Sequence, residues 1–257
     1  MSLPPSSLRL VTADHSGAAT LRVLYHELAG EFQKRSLFST LEGRRFPCRL
    51  NATVPSPWIH GEVESEEHAL DPRLMTLAGR AVAWLSTRYL SDRRETRADS
   101  SFVNTVEVHR ILGLLEELDY AVLNTGESVS VQLLSGYSAQ VRLMAQQVYS
   151  MRPHIPNLVV GCNTIDSIQG READVVVFSV TRSNEEQKFG FLREFQRINV
   201  ALSRARELLV IVGDEEFVRR SKSADPLVRV LHHIEQNPQD CAVQWFDDPS
   251  CQKGSRR

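Results

Sequence analysis

Two clusters of polar residues have side chains of the types that bind and transfer phosphate groups. The first is Gln169-Gly170-Arg171-Glu172, where the glycine permits close backbone approach and the amide and carboxylate can hydrogen-bond a ribose or a bridging water. The second contains Arg204 and Arg206, whose planar guanidinium groups can stabilise charge developing on a transferred phosphoryl group. Each cluster alone also fits a simpler interpretation, an ordinary turn for the first and a solvated helix face for the second.

Two short apolar runs place these clusters. Residues 175–180 read Val-Val-Val-Phe-Ser-Val, and residues 208–213 read Leu-Leu-Val-Ile-Val-Gly. Continuous β-branched runs of this length are typical of strands that are buried on both faces, as in a parallel sheet covered by helices. Residues 199–202, just before Arg204, predict a helix that packs on this sheet. Since open α/β sheets bind ligands at strand ends, we expect the two clusters to face one cleft.

The neighbouring segments alternate between helical and strand patterns. Asn104 or Thr105 can cap an amphipathic helix, and residues 130–134 predict a strand that turns at 135–137 into a second helix. Residues 226–234 predict a closing helix. This alternation indicates an α/β domain.

Composition excludes several classes of protein. The 257 residues carry a net charge of -2, so the chain as a whole is not a basic nucleic-acid binder, and any such contact needs a local basic patch. The four cysteines form no Cys-x-x-Cys pair, which argues against a zinc site and favours a reducing compartment, nuclear or cytoplasmic. The sequence has no run of 18 or more apolar residues and no secretory leader pattern, so we expect no membrane partner.

Three segments, in order, resemble motifs V and VI of superfamily 1 helicases. They are residues 164–172, 180–184 and 197–206, with further collinear matches at 190–192 and 210–214. The most similar type is the up-frameshift (nonsense-transcript regulator) group. Upstream, Ser135-Gly136-Tyr137-Ser138-Ala139-Gln140 resembles the Thr-Pro-Tyr-x-x-Gln turn of that group, and Asn104-Thr105-x-Glu107 fits its Asn-x-x-Glu helix start.

In that family, two RecA-like domains clamp ATP between them and step along single-stranded nucleic acid. This chain resembles only the second, so the resemblance implies a three-layer α/β RecA-like (P-loop NTPase-like) domain with a mostly parallel sheet. It implies that Arg204 is the arginine finger and that Gln169, Gly170, Arg171 and Glu172 contact the nucleotide. It also implies contacts to single-stranded RNA or DNA, mostly to phosphates and sugars, from Ser135, Gly136, Tyr137, Gln140, Thr164, Asp166, Ser167, Arg182 and Asn199. It assigns no metal ligands to this chain.

Several parts of the family's ATP site are missing. The sequence has no Gly-x-x-x-x-Gly-Lys P-loop and no Gly-Lys dipeptide. The segment that resembles motif III is degenerate, with Gly17 at the position of the glutamine that senses the γ-phosphate in the family. In the segment that resembles motif IV, Val54-Pro55 replaces an aromatic residue and an arginine. ATP and Mg²⁺ are therefore expected in a complete enzyme, without tight binding to this chain alone.

Three hypotheses follow, since the sequence resembles motifs V and VI but lacks other parts of the family's ATP site. The first is a second helicase domain that acts with a P-loop RecA-like domain in cis or in trans and is inactive alone. The alternative is a non-catalytic pseudo-helicase module that binds RNA or a partner protein. A third possibility is that the chain supplies its arginine in trans to another ATPase subunit.

The sequence divides the chain into four parts. Residues 1–58 are interpreted as a degenerate lead-in of motifs III and IV packed on the domain. Residues 59–100 are a variable charged insertion with one strand around residues 81–85, and residues 101–240 are the RecA-like domain. Residues 241–257 are a flexible tail.

Overall fold

A computed structural model of the protein describes Leu77 and residues 80–122, 128–168, 171–222 and 225–246. The segment that resembles motifs III and IV lies outside the described residues, as do Gln169 and Gly170. No helix within the described ranges is both long and apolar enough to cross a lipid bilayer.

A parallel sheet forms the centre of the molecule. The described strands are β1 (Val82–Ser86), β2 (Thr96–Ala98), β3 (Ser101–Val103), β4 (Val129–Ser135), β5 (Leu158–Thr164), β6 (Ala173–Ser179), β7 (Ala205–Gly213) and β8 (Cys241–Trp245). Six of them make one sheet in the order β5-β4-β6-β7-β1-β8, and every neighbouring pair is parallel. β2 and β3 form a separate antiparallel hairpin.

Helices cover both faces of this sheet. The described α-helices are α1 (Thr105–Val122), α2 (Ser138–Met151), α3 (Phe195–Leu202), α4 (Glu215–Arg219) and α5 (Pro226–Gln236). Side chains of α1 and α2 share one apolar cluster with the sheet, and side chains of α3, α4 and α5 share another. The result is the three-layer α/β, RecA-like architecture that was expected.

Strand side chains alternate between these two clusters. On β6, Val175 and Val177 pack with α1 and α2, whereas Val176 and Phe178 pack on the opposite face. Because both faces are buried, no polar residue interrupts the pattern, which explains the continuous apolar run in the sequence. Most predicted elements are confirmed: the helix after Asn104 is α1, the two apolar runs are β6 and β7, and the closing helix is α5.

The sheet extends beyond the predicted limits of the domain. β1 falls in the predicted charged insertion and β8 in the predicted flexible tail, yet β1 is paired between β7 and β8. The Trp84 side chain is fully buried, and its indole nitrogen donates to the Gly213 carbonyl at 3.0 Å. The strand predicted around residues 81–85 is confirmed as β1, whereas β8 was not predicted because its partner strand lies far along the chain.

Candidate functional site

Strand direction separates the predicted site residues into two groups at opposite edges of the sheet. Ser135, Thr164 and Ser179 end β4, β5 and β6, so the loops that follow them lie at the carboxyl edge. Glu172 and Arg204 immediately precede β6 and β7, so they lie at the amino edge. Since β6 has seven residues, the two edges are about 20 Å apart. Glu172 and Arg204, one from each predicted phosphate-binding cluster, therefore lie at the same edge of the sheet, whereas Gln169 and Gly170 lie outside the described residues.

Arg204 is a buried arginine at the amino edge. It lies in the turn between α3 and β7 and is only 2% exposed. Its Nε donates to the Val200 carbonyl at 2.9 Å, but its buried Nη2 has no hydrogen-bond partner among the described residues. An arginine in this position holds an uncompensated donor, which a phosphate oxygen of a nucleotide would satisfy. The residue thus fits the ATP that the resemblance implies.

Asn199 lies on α3 one residue before Val200, and its side-chain oxygen is also buried without a hydrogen-bond partner in the described part of the chain. It had been predicted to contact nucleic acid. It precedes Val200, whose carbonyl accepts from Arg204 Nε, and its contact with nucleic acid stays a prediction.

The other arginines of the two predicted phosphate-binding clusters differ from Arg204 in their surroundings. Arg206 was expected on a helix but lies in β7, where its guanidinium pairs with Asp174 at 3.2 Å and with Glu172 at 3.7 Å. Arg171 is exposed, and its backbone N–H donates to the Ile168 carbonyl at 3.0 Å. Arg206 therefore ties the start of β6 to the start of β7 through two ion pairs, although its Nε, like Arg204 Nη2, has no hydrogen-bond partner among the described residues.

The turn after β5 presents exposed polar groups at the carboxyl edge. Thr164 Oγ1 donates to Ser167 Oγ at 3.0 Å, and the Ser167 hydroxyl also approaches the Thr164 carbonyl at 3.0 Å. Asp166 forms an exposed ion pair of 3.2 Å with Arg197 of α3. Small hydroxyls in an exposed turn are suited to contacts with a sugar–phosphate backbone.

Arg182, predicted to bind nucleic acid, is instead committed inside the protein. Its Nε donates to Glu95 Oε1 at 2.9 Å in an ion pair whose side chains are 7% and 5% exposed. Glu95 also accepts from the Ser183 backbone N–H and from the Asn184 amide. One carboxylate therefore ties down three successive residues of the loop after β6.

Tyr137 forms the centre of an aromatic group at this edge. Its hydroxyl accepts from Arg182 Nη1 at 3.1 Å, and its ring lies edge-on to Phe102 and Phe191, with centroids 5.6 and 4.7 Å away. The Arg182 guanidinium lies over the Phe102 ring at 4.1 Å. The Phe191 ring packs directly on the backbone of Gly136, beside Tyr137. A Cβ added at Gly136 would lie 1.6 Å from Phe191 Cζ, so this close contact requires glycine.

A buried polar network joins α1 to the end of β6. Glu107 is fully buried, and its Oε2 accepts from Ser179 Oγ at 2.5 Å and from the Thr181 backbone N–H at 2.8 Å. Burial raises the pKa of Glu107 to about 8, against the lowering effect of these hydrogen bonds, and the carboxylates of Asp214 and Glu95 raise it further. The carboxyl group is therefore largely protonated at neutral pH.

Gln140 belongs to the same network. Its amide accepts from the Asn104 backbone N–H at 2.8 Å and donates to the Asn104 carbonyl and to Ser179 Oγ at 3.1 and 2.9 Å. Ser135 Oγ lies 2.8 Å from Thr181 Oγ1. Thr181 itself has a φ of 67°, a conformation that costs a β-branched residue free energy and persists only where its surroundings impose it.

The predicted nucleic-acid contacts differ in how far their polar groups are available. Those of Ser135, Tyr137, Gln140 and Arg182 are engaged within the fold, whereas those of Thr164, Asp166 and Ser167 are accessible, and all of these contacts stay predictions. Glu95 was not predicted as a site residue, and Glu107 was noted only in the Asn-x-x-Glu helix start. The Asn-x-x-Glu pattern was a signal for Glu107, but no local pattern marks Glu95, whose partner Arg182 is 87 residues away.

The packing of Phe191 on Gly136 allows a direct test. We expect Gly136→Ala to lower the free energy of unfolding by about 1–3 kcal/mol, because the new methyl group must displace the Phe191 ring. The cost should be smaller when Gly136→Ala is made in a Phe191→Ala background. Urea unfolding of the four proteins in this cycle measures the coupling, and additive effects would contradict the contact.

Asp214, which follows β7 in the manner of a Walker B aspartate, has a structural role. Its Oδ1 accepts from the backbone N–H groups of Glu216 and Phe217, which caps α4. Its Oδ2 accepts from Arg93 Nε at 2.9 Å and Ser183 Oγ at 2.8 Å. Both carboxylate oxygens are thus occupied by the fold.

Comparison with known proteins identifies relatives among helicases. An uncharacterised ATP-dependent helicase of Methanocaldococcus jannaschii is 26% identical over 151 residues, 59% of this chain and 21% of that protein. The DNA polymerase alpha-associated DNA helicase A of Saccharomyces cerevisiae is 38% identical over 91 residues, 35% of this chain and 13% of that protein. The probable helicase MAGATAMA 3 of Arabidopsis thaliana is 33% identical over 134 residues, 52% of this chain and 16% of that protein.

The chain spans between 13% and 21% of the length of these three relatives. A family model described as an AAA domain matches residues 59–216, more than half of the chain. This match includes β1, which the sequence-based division had placed outside the domain. The chain therefore belongs to the AAA domain family, and the domain it carries is of the helicase type.

Proposed function

We propose that the chain is the second RecA-like domain of an ATP-dependent superfamily 1 helicase of the up-frameshift-like group. In this proposal it acts with a P-loop RecA-like domain, in cis or in trans, and is inactive alone. The amino edge contributes Arg204 to bound ATP and Mg²⁺, and the carboxyl edge contacts single-stranded RNA or DNA.

The observation that carries this proposal is the uncommitted Nη2 of Arg204. Arg182, the other buried arginine among the described residues, is matched to the Glu95 carboxylate, and a buried donor without an acceptor is costly. A planar donor that is held by the Val200 carbonyl and has no further acceptor in the described part of the chain is suited to a phosphoryl oxygen. Asn199, with its own unmatched oxygen, would accept a hydrogen bond from the nucleotide or its water shell.

Helix α3 offers a physical link between the two edges. Arg197, in its first turn, pairs with Asp166 beside the Thr164–Ser167 turn, and its last residue, Leu202, lies two residues before Arg204. An eight-residue helix is a rigid body about 12 Å long. A shift of the turn on binding nucleic acid would therefore move the segment that carries Arg204.

Binding of labelled single-stranded oligonucleotides to this chain tests the carboxyl-edge assignment. We expect the fluorescence anisotropy of RNA or DNA 12-mers to rise on binding, with an affinity that falls as salt increases because phosphates are contacted. Ser167→Ala should weaken binding about threefold through loss of an exposed hydroxyl contact. The matched control is Ser150→Ala, an exposed serine near the end of α2. Equal affinities for the two variants would contradict the assignment.

The pseudo-helicase alternative has one specific observation in its favour. Ser135, Gln140 and Arg182 are all hydrogen-bonded internally, so the carboxyl edge offers fewer free groups than the resemblance implies. Nucleic-acid binding without any ATP hydrolysis in the presence of a P-loop domain would favour this alternative. Hydrolysis stimulated by the oligonucleotide would favour the helicase.

A further inference from the structure

The loop after β6 reaches its position through a strained residue. Thr181 has a φ of 67°, and four contacts hold it there. Its N–H donates to Glu107, its carbonyl accepts from the Asn104 side chain at 3.3 Å, and its hydroxyl lies within 3.2 Å of the hydroxyls of Ser135 and Ser179. Relaxation of Thr181 to a negative φ would redirect the chain that follows it.

The residues after Thr181 contact other groups of the carboxyl edge, so their positions depend on the conformation of Thr181. Arg182 donates to the Tyr137 hydroxyl and lies against Gly190, where an added Cβ would be 3.2 Å from Nη1. Tyr137 in turn packs on Phe191, which lies in the turn Gly190–Arg193 before α3. The conformation of one residue thus sets the relative placement of the 135–137 turn and the 190–193 turn.

Glu107 has the central place among the groups that hold Thr181. Its carboxyl oxygens accept hydrogen bonds from the Thr181 backbone N–H, from Ser179 Oγ and from the Asn104 side-chain amide. Among the described residues, the charged groups that act on it are the carboxylates of Asp214 and Glu95. No nucleotide or nucleic-acid group can reach it directly, because it is fully buried.

We propose that Glu107 is a positioning residue of the carboxyl edge. It holds Thr181 in the left-handed conformation and so fixes Arg182, Tyr137 and Phe191, which support the carboxyl-edge surface that single-stranded nucleic acid contacts. The last part rests on the proposed function, whereas the positioning of the loop does not.

The test compares Glu107→Ala, Glu107→Gln and the matched control Glu116→Ala, an exposed glutamate on the same helix. We expect Glu107→Ala to speed amide hydrogen exchange in residues 181–193 about tenfold at neutral pH, with α5, on the opposite face of the sheet, unchanged as an internal reference. The same variant should bind a labelled single-stranded RNA 12-mer about tenfold more weakly. Glu107→Gln, which mimics the protonated carboxyl, and Glu116→Ala should resemble the wild type in both measurements.

A second variant tests the route through Thr181. Glycine adopts positive φ without strain, so Glu107→Ala combined with Thr181→Gly should bind the oligonucleotide more tightly than Glu107→Ala alone. Unchanged exchange and affinity in folded Glu107→Ala would overturn the proposal, as would the absence of any recovery in the double variant. If the wild type binds no oligonucleotide, the proposed function fails, and the exchange rates of residues 181–193 still decide whether Glu107 positions the loop.

Discussion

Replacing Arg204 by alanine is expected to lower kcat for ATP hydrolysis about 10³-fold when the chain is combined with a P-loop domain, in cis or in trans. The physical reason is that Arg204 offers a buried donor with no acceptor among the described residues, positioned by its Nε contact to the Val200 carbonyl. KM should change little, because charge on the phosphoryl group develops mainly in the transition state. Steady-state hydrolysis with and without single-stranded RNA measures both constants.

Two further variants sharpen this result. Arg204→Lys should not restore activity, since an ammonium group lacks the planar fork. Arg193→Ala removes an exposed arginine that pairs with Asp225 and should leave kcat unchanged. The chain alone should hydrolyse no ATP above background. Hydrolysis by the chain alone that is lost in Arg204→Ala would mean that a P-loop domain is not required.

Replacing Glu95 by alanine is expected to lower the free energy of unfolding by about 3–5 kcal/mol, because it leaves the buried Arg182 guanidinium without its counter-charge. The loss should exceed that of an ordinary ion pair, since Glu95 also accepts from Ser183 and Asn184. Urea unfolding followed by circular dichroism gives this free energy.

The matched control is Asp166→Ala, which breaks an ion pair of similar length whose side chains are 42% and 68% exposed. Solvent screens that pair, so its removal should cost less than about 1 kcal/mol. Similar losses for Glu95→Ala and Asp166→Ala would show that burial does not strengthen the Glu95–Arg182 contact.

The strands of the sheet interior were predictable wherever burial on both faces left an uninterrupted apolar run. β6 and β7 meet this condition, and α1 was predictable because its apolar face repeats with helical spacing. β8 was not, since Gln244 and the charged residues around it resemble a solvated tail, and only its pairing with β1 makes it a strand of the sheet. Local sequence carries little information about a partner that lies far along the chain.

The candidate site was predictable in its residue types but not in its arrangement. The resemblance pointed to Arg204, and the structure gives that residue an unmatched buried nitrogen. The same resemblance could not reveal that Arg182 is neutralised by Glu95, because that contact joins a loop to a segment without any distinctive pattern. The positive φ of Thr181 was equally hidden, since threonine is an unfavourable residue for it and only tertiary contacts enforce it.

The place of β1 between β7 and β8 has a consequence for the order in which the molecule can form. Among the described strands of the sheet, β1 leaves the ribosome first, but the Trp84 indole donates to the carbonyl of Gly213, 129 residues later. Until then an apolar strand must remain without its neighbours, whereas β4, β5 and β6 can already pair with one another. Closing so long a loop slows folding and leaves strand edges open to pairing with other chains. We therefore expect half of the sheet to form during synthesis and the other half only after β7 and β8 have emerged.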